Sequence, residues 1–157
     1  LNGAQIHLAV NHFPVVGVVM GLLVLVLGYG MKQLVVKRTG LALILLASLF
    51  SLPTYFSGEP AEELVERKAG VTKQNIHDHE EAAELALVFS MIGGAVAGIS
   101  LLSAWKGKPI ESKLTTASGV ISVATAALMI NAAHKGGMIR HDEIRPAAEK
   151  CGFCSAG

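Results

Sequence analysis

The sequence predicts an all-α integral membrane protein, a four-helix up-down bundle with a short surface helix in one outer loop. Three observations lead there. Of 157 residues, 52% are apolar and only 16% charged, with a mean hydropathy of +0.52, outside the ordinary range of soluble domains. Four stretches run uncharged for about the twenty residues that a hydrocarbon core of about 30 Å requires. Each is apolar around its whole circumference, whereas a helix of a soluble bundle has one apolar stripe and a charged opposite face.

The first span is expected over residues 6–31, with His7, Asn11 and His12 near its start and no charge before Lys32. The second, over 40–56, is shorter, and Pro53 falls in its last turn. Glu59-Pro60-Ala61-Glu62-Glu63 then sets Pro at a first helical position with acids in the first turn, which predicts the surface helix through Arg67. The third span, over 72–105, starts as a soluble extension capped by Thr72 and becomes clean from Leu85 to Trp105. The fourth, over 114–140, is clean from Leu114 to His134. Gly17 with Gly21 and Gly94 with Gly98 form GxxxG pairs that offer close helix contact. Residues 1–141 thus make the transmembrane domain and 142–157 an outer tail.

Orientation follows from the connectors. Lys32, Lys37 and Arg38 occupy one short loop, and Lys106, Lys108 and Lys113 another against Glu111 alone. Short basic loops face the cytoplasm. The opposite side spreads seven of the thirteen Lys and Arg over a long loop and tail that also carry eleven of the twelve acids. Both termini and the 57–84 loop are therefore expected on the periplasmic side of a bacterial inner membrane. The chain opens on Leu1 rather than Met, which suggests processing or a start further upstream. A net charge of +1 and 5% aromatic residues exclude a phosphate-neutralising or base-stacking surface, so nucleic acid is no partner.

The up-down path gathers all six histidines on that outer side. His7 and His12 stand at the start of the first span, His77 and His79 before the third, His134 and His141 at the end of the fourth. Ionisable groups at the edge of a span mark function more often than chance. By depth, His12, His79 and His134 form an inner set and His7, His77 and His141 an outer one. Neutral imidazole is the commonest protein metal ligand, and facing helices of a bundle are where cofactor sites are built. An axial pair from two helices would hold the iron of haem b, with the outer set available to a second haem. The alternative is a transition-metal site for iron, copper or zinc. His77 with Glu80, Glu81 or Glu84 has helix-face spacing, and carboxylates suit iron or manganese, but the ExxH pattern of di-iron bundles is missing.

Cys151 and Cys154 lack the following His of a c-type haem attachment and a second pair for zinc, so a local disulfide is expected. No Ser-His-Asp order, phosphate loop or nucleophile elbow is present.

The string Ile6-His7 through His12-Phe13-Pro14 resembles a group of uncharacterised bacterial four-span membrane proteins with an N-terminal Ile-His…His-Phe-Pro motif. Pro53-Thr54-Tyr55-Phe56-Ser57-Gly58-Glu59-Pro60-Ala61-Glu62-Glu63 and His79-Glu80-Glu81-Ala82-Ala83 fit the same resemblance, which covers most of residues 6–135. Leu8 stands where such proteins often have Pro. The resemblance implies the fold and a bundle of histidines and carries over no activity.

The function expected is a b-type cytochrome-like subunit, non-catalytic, that holds one or two haems near the outer membrane face and transfers electrons. Haem on one side alone does not carry electrons across the whole bilayer, so other membrane redox subunits, a quinone or an external cytochrome are the expected partners. A His and carboxylate metal-binding protein, or a structural accessory subunit packed on larger partners through its GxxxG faces, are the competing readings.

Overall fold

Pro14 explains the first feature of the chain. It has no N–H to give the Val10 carbonyl four residues back, and its ring crowds that oxygen. In the computed structural model, which describes residues 3–58 and 71–140, the helix is interrupted there, giving α1 (Gly3–Val10) and α2 (His12–Gly30). Thr54 Oγ1 approaches the Val10 carbonyl at 3.3 Å. Asn11 keeps helical angles (φ −64°, ψ −21°) and its N–H reaches the His7 carbonyl at 2.9 Å, so the interruption is local.

Three more helices follow among the described residues: α3 (Leu34–Phe56), α4 (Lys73–Trp105) and α5 (Glu111–Arg140). Lys32, at φ 55°, turns the chain between α2 and α3, and the N–H groups of Met31, Lys32 and Gln33 bond back to the end of α2. α3 starts at Leu34, so Lys37 and Arg38 ride on its first turns. Thr72 caps α4 in a capping box with Asn75. At about 1.5 Å per residue α4 is about 50 Å long, well beyond a hydrocarbon core. The surface helix expected through Arg67, His141, and the tail with Cys151 and Cys154 lie outside the described residues.

α2, α3, α4 and α5 pack in up-down order, each against the next, and α2 against α5 closes the bundle. All four are long and apolar enough to cross a membrane. Only 28–33% of the most apolar stretch of each is buried inside the bundle, so the remaining surface has to meet lipid. The distribution of side chains agrees. Phe13, Met20, Leu23, Val26, Leu46, Phe50, Ile99 and Val120 face outward, while the interior holds Ser48, Ser51, Ser90, Ser100, Ser118, Ser122 and Thr125 beside Val18, Leu25, Leu41, Ile44 and Ala97. Lipid is as apolar as leucine and cannot drive helices together by the hydrophobic effect, so close contact and interhelical hydrogen bonds do so. The protein is an integral membrane protein with four candidate spans.

Small residues supply the close contact. A Cβ on Gly40 would lie 2.7 Å from the Leu25 backbone nitrogen, and one on Gly17 would lie 2.8 Å from Ala47 Cβ. Gly94 receives Ser48 directly. Hydroxyls tie the same surfaces: Ser48 Oγ donates to the Ser90 carbonyl (2.7 Å), Ser51 and Ser90 pair at 3.0 Å, and Ser100 and Thr115 at 2.8 Å. The GxxxG glycines are thus engaged within this chain, Gly17 and Gly21 against α3 and Gly94 and Gly98 also against α3.

Candidate functional site

Buried positions on α2 and α5 trace a stripe with alternating steps of three and four. On α2 it runs through Pro14, Val18, Gly21, Leu25 and Gly28, and on α5 through Thr115, Ser118, Ser122, Thr125, Met129 and Ala132. Continued toward the histidine-bearing end, the α2 stripe passes through Asn11 and His7, and the α5 stripe through Gly136. On α4, His79 lies three residues from each of the buried Ile76 and Ala82. His12, His77 and His134 lie off these stripes, one or two residues around the helix.

The side chains follow that register. His7 and His79 are half-buried, whereas His12, His77 and His134 are exposed. Of the three residues expected innermost by depth, His79 alone turns into the bundle, and His7, expected in the outer set, joins it. Glu80, Glu81 and Glu84 are exposed.

Both inward imidazoles are held by the same nitrogen. His79 Nδ1 lies 2.9 Å from the Ala132 carbonyl of α5. A carbonyl only accepts, so Nδ1 carries the proton and Nε2 keeps a lone pair. His7 Nδ1 lies 2.9 Å from Ser57 Oγ, and that hydroxyl donates its own proton to the Thr54 carbonyl at 2.8 Å. His7 therefore also donates through Nδ1, and in the neutral ring Nε2 keeps its lone pair. An Nδ1–H fixed by a carbonyl or hydroxyl is the usual support of a metal-bound histidine.

The two rings share one electrostatic environment. Burial lowers the His7 pKa below 6.5, the nearby His79 pushes it the same way, and a hydrogen bond to the Thr54 backbone opposes them. Lys135, whose Nζ donates to the Asp78 carbonyl at 3.2 Å, and Glu80 are the charged groups acting on His79. Glycine flanks both rings: a Cβ on Gly136 would lie 3.0 Å from His79 Cε1, and one on Gly58 would lie 3.9 Å from His7 Cε1. Asn11, one turn along from His7, has its Oδ1 buried with no donor.

Among the described residues no three of His, Cys, Asp and Glu come together in a group fit for a metal ion. The described site is thus a two-imidazole site. Ser57 and Gly58 entered the sequence reading only as part of a resemblance string, with no role in a site, and Ala132 and Gly136 not at all. The stripe of hydroxyls and small residues on α5 is the signal that would have pointed to Ala132 and Gly136. No protein-family model, curated protein or solved structure matches the chain.

Proposed function

We propose that the protein is a b-type haem-binding subunit for membrane electron transfer, in which His7 and His79 are the residues that would hold the haem. The observation that carries this reading is the matched pair of half-buried imidazoles, each donating through Nδ1 and each left with an Nε2 lone pair. Metal ions held by protein alone take about four or more ligands. A haem iron takes four nitrogens from its own ring and asks the protein for two axial ligands, which is the number of inward-facing histidines among the described residues.

Several features fit such a group. Depression of the His7 pKa keeps its imidazole neutral near pH 7, as ligation requires. Gly136 brings its backbone close against the His79 ring, and Gly58 lies beside the His7 ring. The unpartnered Asn11 Oδ1 is a buried acceptor next to the pair, a costly arrangement that a donor on a bound group would relieve. When bound, haem supplies reversible one-electron chemistry. The chain's own part is to orient the two Nε2 atoms and fix their tautomers through Ser57 and Ala132. Electron donors and acceptors would be partner redox subunits, a quinone or an external cytochrome.

The test is an absorption spectrum of the purified full chain, with a pyridine haemochrome assay and iron per chain. A Soret band with about one b-type haem per chain is expected. A preparation with neither band nor haemochrome, made in haem-replete cells, would end the proposal, and stoichiometric metal without porphyrin would favour the His and carboxylate reading.

A further inference from the structure

The opposite end of the bundle, where α2 meets α3 and α4 meets α5, carries a second built feature. A half-open cavity of about 140 Å³ lies there, lined by Tyr29, Lys37, Lys108, Pro109, Glu111 and Ser112 among others. Its charge is unbalanced. The carboxylate of Glu111 is held by Arg38 through two hydrogen bonds, Nε to Oε1 at 3.0 Å and Nη2 to Oε2 at 3.2 Å, so it is already neutralised. Lys37 and Lys108 have no carboxylate partner among the described residues. The Lys37 ammonium rests 4.0 Å from the centre of the Tyr29 ring, a contact that positions the charge without cancelling it. Tyr29 is fixed in turn by its hydroxyl, 2.8 Å from Thr116 Oγ1.

The cavity also sits at a membrane boundary. Tyr29 lies in the last turn of α2 and Trp105, 85% exposed, ends α4, and such aromatic residues belong at head-group level. Leu34, which lines the cavity, and Val35 beside it present exposed apolar side chains on the adjoining flank. The volume falls below the ~300–1,000 Å³ of sites for whole small molecules. It matches a single anionic head group whose hydrocarbon stays outside, along Leu34 and Val35. Basic pockets between spanning helices take anionic lipid heads in this way.

We propose that this cavity binds the phosphate of an anionic membrane phospholipid, with Lys37 and Lys108 as its cationic partners. The proposal is independent of the histidine pair. Its test is native mass spectrometry of the full chain extracted from vesicles of equal phosphatidylglycerol and phosphatidylcholine. The wild type should retain phosphatidylglycerol over phosphatidylcholine by about tenfold or more. K37Q/K108Q should lose most of that preference, and K108Q alone, altered only in an exposed connector, should lose part of it. The charge-matched K106Q/K113Q should keep it. Equal loss in both double variants, or no loss in K108Q, would overturn the proposal. Displacement of phosphatidylglycerol by inorganic phosphate at comparable concentration would do so too, because the site would then be one for the free anion.

Discussion

His7 and His79, seventy-two positions apart in the chain, enter the same end of the bundle and are each anchored through Nδ1, one by Ser57 and the other by the Ala132 carbonyl. The anchors belong to α5 and to the chain just past α3, so the geometry of the pair depends on the packing of the whole bundle rather than on a local motif.

That dependence makes the anchors testable apart from the rings. Ser57→Ala removes the acceptor of His7 Nδ1 but leaves the imidazole in place. Supporting hydrogen bonds of metal-bound histidines are worth about 10–100-fold in affinity. Haem retention in S57A should fall within that range while the fold, read by circular dichroism, stays intact. Full retention would show that Ser57 does not support a ligand.

The pH dependence of the haem-free protein follows from the depressed His7 pKa. Above 6.5, His7 is neutral both folded and unfolded and contributes no slope. As pH falls below 6.5, the unfolded chain takes up a proton that the folded protein resists, so stability declines until pH passes the lower folded value. H7Q should flatten that decline in detergent unfolding measurements. An unchanged slope in H7Q would assign it to other groups.

Close approach of α2 and α3 predicts a contrast between two glycines. Gly40→Ala drives a methyl group to 2.7 Å from the Leu25 backbone nitrogen, where backbone and not a flexible side chain must move. A loss of about 1–3 kcal/mol is expected from such overpacking. Gly30→Ala meets nothing within 4 Å and should leave stability unchanged or raise it by up to about 1 kcal/mol. Unfolding in mixed micelles measures both, and equal effects would contradict the packing described.

The Arg38–Glu111 pair, part-exposed at 40% and 21%, should behave as a screened surface interaction. In a double-mutant cycle with R38Q and E111Q, the coupling should be favourable at low salt and shrink as salt rises. Salt-independent coupling would indicate a buried pair instead.

How much of this was legible in the sequence depends on the quantity asked for. The four spans were legible because uncharged runs of sufficient length are a one-dimensional property, and the run ending at His134 needs no tertiary information. The gathering of His7, His12, His77, His79 and His134 toward one end of the bundle was legible for the same reason. That His7 and His12, or His77 and His79, cannot both face inward followed from their spacing, but which one does is set by the face each helix turns to its neighbours. Depth ranked His12 and His134 with His79, yet His12 is one residue from Asn11 on the α2 stripe and His134 is two from Ala132 on the α5 stripe, and both are exposed. The inward stripe is marked in the sequence by small and hydroxylated residues, Thr115, Ser118, Ser122 and Thr125, rather than by the large apolar ones that mark a soluble core. Gly17 and Gly21 were legible as close-contact sites, but whether they meet a neighbouring helix or another protein is fixed only by the fold, which sets them on Ala47 and Ile44. The Arg38–Glu111 pair joins residues seventy-three apart and has no local signature.

The central claim is that direction around the helix, not depth, selects the ligands, and the comparison of His79→Ala with His134→Ala tests it most directly. The two variants are purified from the same haem-replete host, and the Soret absorbance per chain is measured for each beside the wild type. The account predicts that H134A keeps the wild-type ratio and H79A loses most of it. Loss in H134A with retention in H79A, or no Soret band in the wild type, would contradict it.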